Sequence, residues 1–379
     1  MKCFVYLLQA AIIIISACQS RGNSKSPSIA DNKHVQYARG FTIRDFDGYR
    51  IISVFNPWQQ LHQVELTYVL YQDKEKVPVN LNAATCIQVP VNRVVTTSTT
   101  HIAMICALDK QESVVGVSGG KYISDPIIRK KIDAGHIRDI GYEQSQNFEE
   151  LIGLNPEVVI MYGVSGEISS VLQKLKSLQI PVVLNAEYLE SDPLAKTEWI
   201  KFIACFYDEL DQAGIIFDSI SSAYNEYIAI AAKATTKPTI LSGLPWKDTW
   251  WVPGGSSFAA TLIDDAGGEY IWKEDSSREA IPLDTEVVFS KAQNADIWIN
   301  AGSALSLSDI QSLDSRLQLF EAYRIGNVFN NNARVNELGG NVYWETGVME
   351  PHVILKDLIS IFHPEILPDH TLVYYQRLY

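Results

Sequence analysis

Between Asp192 and Thr235 the apolar residues fall at Trp199, Ile203, Phe206, Leu210, Ala213, Phe217, Ile220, Tyr224, Tyr227 and Ala231. These alternating four- and three-residue steps form one stripe of an amphipathic helix. Asp192 can cap its first N–H groups and Pro193 suits the first helical position, while Thr235, Thr236 and Pro238 supply the stop. The run Asp208-Glu209-Leu210-Asp211, followed by Gly214, places polar and breaker residues inside the stripe. On each side, short apolar strands alternate with amphipathic helices. The long stripe is therefore read either as a core helix of a single domain or as a helix standing between two α/β halves.

Upstream of these halves, Tyr37 to Val89 has the two-residue period of β structure, in Phe41–Phe46, Tyr49–Phe55 and Val64–Tyr71 with turn signals at Asp47-Gly48 and Asn56-Pro57. A small antiparallel layer packed on the first half is expected. From Arg93 onward the sequence predicts strands at Val94–Ser98, Val114–Val117, Ile140, Pro156–Tyr162 and Ile180–Leu184. Helices are expected at His101–Leu108, Asp125–Ile132, Asn147–Leu154 and Gly166–Leu178. After the stripe come strands at Pro238–Gly243, Asp296–Asn300 and Asn327–Asn330, and helices at Ser257–Ala266, Asp284–Ala292, Ser308–Leu313 and Pro351–Phe362. Strand and helix in alternation predict parallel sheets with helices on their faces. Leu154–Gly163 and Gln293–Gly302 echo each other, each a strand ending in glycine with an acid at the following helix start, Glu167 or Asp309. That echo supports two pseudo-equivalent lobes with a cleft between the carboxyl ends of their strands.

The N-terminus alters the compartment. Lys2 precedes an apolar run from Phe4 to Ile15, too short for a membrane span and typical of a secretory signal, which ends at Ile15-Ser16-Ala17-Cys18. Small residues before a cysteine resemble the lipobox of bacterial lipoproteins, in which Cys18 is acylated and becomes the new N-terminus. Ordinary secretory cleavage is the alternative. The polar segment Gln19–Asn32 reads as a tether. Across 379 residues, 31 basic residues face 44 acidic ones with no basic stripe, which argues against a nucleic-acid partner. Cys86, Cys106 and Cys205 have neither zinc spacing nor a disulfide framework, and the last two read as buried fillers.

No phosphate-binding glycine loop, nucleophile elbow or H-E-x-x-H motif occurs, so no catalytic constellation is visible. Aromatic residues instead gather at predicted loops: Trp246, Trp250 and Trp251 after the first strand of the second half, Trp272, and Tyr343-Trp344 before the last helix. Tyr162 ends a first-half strand, and Lys121-Tyr122 follow another. Such residues can wall a large, partly apolar ligand, or be ordinary core and rim aromatics. His101 and His352 with nearby acids can supply metal ligands, against the commoner reading of hydrogen-bonded structural histidines.

Arg93–Thr100, Val114–Val117, Asn147–Ile160, Leu175–Val183, the long helix and Gly339–Glu345 together resemble solute-binding proteins of ABC importers with one rigid inter-lobe helix. The subgroup takes up ferric siderophores, haem or cobalamin. The resemblance covers 91–367 and leaves the β segment outside the family core. It implies an α/β fold of two lobes, each a parallel sheet flanked by helices, joined by one long helix, with a small N-terminal β extension. The divisions expected are 1–18 signal peptide, 19–33 tether, 34–90 extension, 91–190 first lobe, 191–235 lobe helix plus inter-lobe helix, and 236–379 second lobe. The family pattern puts a turn inside the apolar stripe, separating a lobe helix over 193–207 from a strut over 211–234, roughly 35 Å long at 1.5 Å per residue.

By the resemblance, Thr99, Thr100, Tyr122, Tyr162, Trp251, Trp272 and Trp344 lie at cleft positions. Lys121, Trp246 and Tyr343 join them as neighbouring candidates. Glu167 and Asp309 stand near the lobe-tip acids that salt-bridge to permease arginines, the second with Asp in place of the family's Glu. The implied protein is a monomeric, lipid-anchored binding lipoprotein of the periplasm or cell surface of a bacterial membrane, with no cofactor and no chemistry of its own. It would capture a ferric siderophore or cobalamin-type ligand and deliver it to an ABC permease. Lys121, Lys247 and Arg334 are candidates for an anionic chelate. The alternatives are a bare metal-ion or haem binder of the same architecture, an enzyme on this scaffold, and a capture lipoprotein with no transporter.

Overall fold

A computed structural model describes residues 33–59, 61–81, 84–142, 146–164 and 168–379. Cys18, the signal segment, nearly all of the tether and Glu167 lie outside the described residues. The chain opens with a four-stranded sheet in the order β1 (Phe41–Phe46), β2 (Tyr49–Phe55), β3 (Glu65–Tyr71) and β4 (Thr85–Gln88). The first three strands pair antiparallel as the turn at Asp47-Gly48 requires, but β4 joins β3 in parallel, so the extension is mixed rather than antiparallel throughout.

The first lobe follows, with β5 (Val94–Thr96), α1 (Thr99–Ala107), β6 (Val114–Val117), α2 (Pro126–Asp133), β7 (Arg138–Asp139), α3 (Phe148–Gly153), β8 (Val158–Met161), α4 (Ile168–Ser177) and β9 (Val182–Leu184). Its strands form one parallel sheet in the order β7-β6-β5-β8-β9. Every residue of β5 and β8 is buried, which accounts for their unbroken apolar runs. Helix starts follow the capping chemistry of the sequence: Ser98 Oγ accepts the Thr100 N–H, and Asp125 accepts those of Ile127 and Ile128 ahead of Pro126.

The apolar stripe is divided among three helices rather than two. They are α5 (Pro193–Glu198), α6 (Ile200–Cys205) and α7 (Leu210–Ala231). Asp208, in the left-handed region at φ 57°, turns the chain between α6 and α7. The 22 residues of α7 make a strut about 33 Å long. Gly214, a breaker by sequence, sits inside α7 without interrupting it.

The second lobe contains β10 (Thr239–Ser242), β11 (Pro245–Trp246), β12 (Thr249–Pro253), α8 (Phe258–Asp265), β13 (Glu269–Tyr270), β14 (Ala280–Asp284), α9 (Thr285–Ala292), β15 (Ile297–Ile299), α10 (Leu307–Leu313), α11 (Glu321–Arg324), β16 (Val328–Asn330), α12 (Pro351–Phe362) and β17 (Gln376–Arg377). Its main sheet runs β13-β10-β15-β16-β17, parallel except for the last strand. The echoing segments become β8 and β15, each an interior strand with a parallel neighbour on both sides. The tryptophan-rich stretch expected as a loop is a small antiparallel sheet, β11-β12-β14.

Extension, first lobe and strut share one hydrophobic core. Two buried carboxylates clasp the extension's first residues. Glu198 accepts the N–H groups of Gln36, Tyr37 and Ala38 at 2.7–2.8 Å and pairs with Lys201 Nζ at 2.8 Å. Glu190 accepts those of Arg39 and Gly40 at 2.9 Å. Phe41 then packs on Trp199 with the rings tilted at 50° and their centres 4.5 Å apart. Gly40 is required here, because a Cβ would come within 2.7 Å of the Trp199 ring.

Candidate functional site

Strands β5, β6 and β8 end side by side, and the residues that follow them carry a cleft of about 240 Å³. Thr97, Ser98 and Thr99 come from the end of β5, Ser118, Gly119 and Tyr122 from β6, and Tyr162 from β8. Tyr142 completes this side, its hydroxyl 3.4 Å from that of Tyr162 and its ring 6.3 Å from that of Tyr122. The opposite wall comes from the second half of the chain: Gly339, Gly340, Asn341 and Trp344. A larger groove of about 610 Å³ lies at the other, amino ends of β10, β15 and β16, beside Pro238, Asp296 and Asn327.

The opposite wall is fastened to the first lobe. Thr99 Oγ1 donates to the Trp344 carbonyl at 3.2 Å, and Asn336 Nδ2 donates to the carbonyls of Lys121 and Ile123 at 3.1 and 3.3 Å. Glu345, buried, accepts the N–H groups of Ser124 and Asp125 at 2.7 and 3.0 Å. Burial pushes the Glu345 carboxyl up and the two N–H groups oppose that shift. Farther along, Thr197 Oγ1 donates to the Val348 carbonyl at 2.7 Å. A Cβ on Gly340 would press into the Tyr122 carbonyl, so the two walls approach more closely than any side chain permits.

Of the sequence-predicted site residues, the structure brings Thr99, Tyr122, Tyr162 and Trp344 to this cleft. Thr100 points the other way, its hydroxyl donating at 2.8 Å to buried Glu187. Lys121 stands at the rim with its ammonium 4.8 Å above the Tyr122 ring. Trp246 and Trp251 share the exposed face of the β11-β12-β14 sheet, 67% and 50% accessible, while Trp250 fills the core on the other face. Trp272 is only 6% exposed and packs on Tyr270 at 5.9 Å, and Tyr343 is equally buried against Tyr374 and Tyr375. Both are packed aromatics rather than cleft faces.

Asp309 is exposed at the start of α10, but its Oδ2 already accepts the N–H groups of Leu305 and Ser306 at 2.8 and 3.0 Å in a capping box. Those hydrogen bonds hold its carboxyl below the ordinary range. His101 lies buried beneath the cleft floor with Nδ1 3.0 Å from Thr96 Oγ1, and burial lowers its pKa to about 3, leaving it neutral. Among the described residues no group of three or more His, Cys, Asp or Glu side chains converges as a metal site. Cys205 is a buried filler as expected, whereas Cys106 is only half-buried.

Sequence reasoning passed over Thr97, Ser98, Ser118, Tyr142 and Asn341. The usable signal was position: Thr97 and Ser98 follow the end of β5 and Ser118 that of β6, where ligand-facing residues concentrate.

The family model described as "Periplasmic binding protein" matches residues 94–334. Two uncharacterized lipoproteins of Methanocaldococcus jannaschii resemble the chain. One is 29% identical over 304 residues, covering 77% of this chain and 69% of its own. The other is 24% identical over 361 residues, covering 91% and 86%. Among solved structures, the periplasmic heme-binding protein RhuT of Roseiflexus sp. RS-1 superposes with a TM-score of 0.57 at 21% identity, over 73% of this chain and 99% of that one. A possible iron-binding (periplasmic solute-binding) protein of Staphylococcus epidermidis gives 0.56 at 18% identity, over 72% and 99%. These two likenesses establish the two-lobed fold.

Proposed function

Because the chain belongs to the periplasmic binding protein family, we propose that it is the substrate-binding lipoprotein of an ABC importer and carries a ferric siderophore or cobalamin-type ligand to the permease. The observation that supports this most is the cleft itself. Tyr122, Tyr142 and Tyr162 from one lobe face Trp344 from the other half, over the carboxyl ends of parallel strands. Rigid aromatic faces around a pre-formed floor suit a bulky, partly apolar ligand. The two lipoprotein relatives favour acylation at Cys18, which would hold an extracytoplasmic protein at a membrane by its lipid; a monomer is part of the same proposal. Glu167, outside the described residues, and Asp309, exposed at the start of α10, are the proposed contacts with permease arginines.

Titration of tryptophan fluorescence tests the reading, since Trp344 is 61% exposed at the cleft. Quenching by a cobalamin or ferric siderophore at micromolar concentration, lost in Trp344→Ala, is expected. Tight binding of bare divalent ions with no response to any chelate would overturn it. Charge reversal at Glu167 and Asp309 is expected to stop transport while binding persists, and Cys18→Ser to release the protein from membranes. Persistent transport in the first would remove the docking role.

A further inference from the structure

The extension meets the first lobe beside the cleft as well as at the clasp on residues 36–40. Strand β2 leads into Asn56-Pro57, a pair that turns the chain. Asn56 adopts the left-handed conformation at φ 45°, which asparagine tolerates better than most residues. Its N–H donates to the Val64 carbonyl at 2.8 Å and its Oδ1 accepts the Val64 N–H at 3.0 Å, closing the connection to β3 at its base. Trp58 and Gln59 are thereby carried beyond the sheet and onto the first lobe. Trp58 packs on that lobe's smaller apolar cluster, which holds Val159 and Met161 of β8 and Leu184 of β9. Tyr68 of β3 adds a bond there, its hydroxyl accepting the Leu184 N–H at 3.0 Å.

Tyr188 continues this contact toward the ligand side, from the single helical turn Glu187–Leu189 after β9. Burial pushes its hydroxyl up to about 12, against the backbone N–H of Gln59, which is directed at the same oxygen. That hydroxyl donates to the carbonyl of Gly163, the residue after Tyr162. The Tyr188 ring meets the Tyr162 ring edge-on with centres 6.4 Å apart. Tyr162 is thus gripped at its ring and at the residue that follows it. Tyr162 lines the cleft, whereas Trp58, Gln59 and Tyr188 do not.

Resting on the binding function above, we propose that the N-terminal extension is a working part of the ligand site. Trp58 and Gln59, acting through Tyr188 as the positioning residue, set where the Tyr162 ring stands in the cleft. An aromatic ring beyond a strand end swings between rotamers unless neighbours pack it, and a ligand that needs one rotamer loses affinity in fixing it. Holding Tyr162 before the ligand arrives removes that loss.

Cyanocobalamin, a ferric tris-hydroxamate, a ferric tris-catecholate and haemin serve as probes of the mature protein, read by calorimetry. For whichever binds, Tyr188→Phe, which keeps the ring and loses the bond to Gly163, is expected to weaken affinity about five-fold, and Trp58→Ala at least as much. Near-ultraviolet circular dichroism checks that each variant folds. In a Tyr162→Ala background the loss from Tyr188→Phe is expected to shrink below about two-fold, since the ring being positioned is gone, while its effect on the urea midpoint persists. A merely structural role predicts the same loss of affinity in both backgrounds, and that result overturns the inference while the carrier function stands. Wild-type affinity in Tyr188→Phe does the same. Amide exchange in the unliganded protein needs no probe: across 158–163 it is expected to rise at least about three-fold in Tyr188→Phe. If none of the probes binds the wild type, the carrier function falls, and exchange still decides the positioning of Tyr162, which no rise would overturn.

Discussion

Gly340 and Glu345 hold the second half of the cleft in place by different means. At Gly340 the constraint is space, because the Tyr122 carbonyl fills the position of a Cβ. Gly340→Ala is therefore expected to weaken ligand binding by displacing Asn341 and Trp344 even where the protein still folds, as comparison of binding affinity with urea midpoint would show. At Glu345 the constraint is two backbone N–H groups with no other acceptor. Glu345→Ala leaves both unsatisfied in a buried place, at an expected cost of about 2–4 kcal/mol in urea unfolding. Asp265 supplies a pH signature at the junction of α7 and α8. Burial raises its carboxyl from the ordinary 3.8 to about 6, and Tyr224 Oη, from α7, donates to it at 2.6 Å. Between those values the folded protein keeps a proton that the unfolded chain has released. The stability associated with that proton is complete below about pH 4 and is lost as pH rises through about 6. Asp265→Asn stays neutral throughout, so its stability relative to wild type is expected to improve by about 2–3 kcal/mol from pH 4 to pH 7 in parallel urea titrations. A flat difference would show that Asp265 titrates normally.

At the scale of elements, periodicity marked out the lobes well, and α12 runs from Pro351 to Phe362, the span its apolar pattern and flanking prolines indicate. What periodicity could not resolve was continuity. A stripe at 3.6-residue spacing looks the same whether one helix carries it or three, provided the breaks keep the phase. The turn at Asp208 and the break at Trp199 do keep it, because all three helices pack on the same core. The β11-β12-β14 sheet was hidden for another reason: its strands are short, and β14 is separated in sequence from the hairpin it completes. Part of the cleft lining was legible in aromatic residues beyond strand ends, Tyr162 directly after β8 and Tyr122 in the loop after β6. The site was not legible at Trp272 and Tyr343, since residue type alone does not tell a packed ring from a displayed one. The clasp on the extension was invisible too, because its donors are backbone N–H groups that any sequence provides. It is nonetheless a strong bond between elements. Removing Glu198 leaves the N–H groups of Gln36, Tyr37 and Ala38 without their acceptor and takes the carboxylate away from the buried Lys201 ammonium, so Glu198→Ala is expected to cost about 3–5 kcal/mol in denaturant unfolding.

For the whole molecule, the two halves are joined by more than their covalent crossover. The strut α7 packs against α12, and the 336–348 segment reaches from the second half to Thr99, Lys121 and Ser124 of the first. Bending the lobes apart would break these hydrogen bonds together. Ligand binding is accordingly expected to change the radius of gyration in small-angle scattering by less than about 1 Å; a contraction of several ångströms would mean that the fastening opens. The same rigidity gives the clasp at Glu190 and Glu198 a mechanical meaning. Residues 34–40 are pinned beside the crossover between the lobes, with Lys201 Nζ holding the His34 carbonyl at 2.9 Å. A pull exerted through the chain's amino end therefore acts close to the molecule's pivot, with a short lever arm on either lobe. A leash fastened there can restrain the protein at a surface while exerting little torque, leaving both lobe tips free to turn toward a partner in that surface.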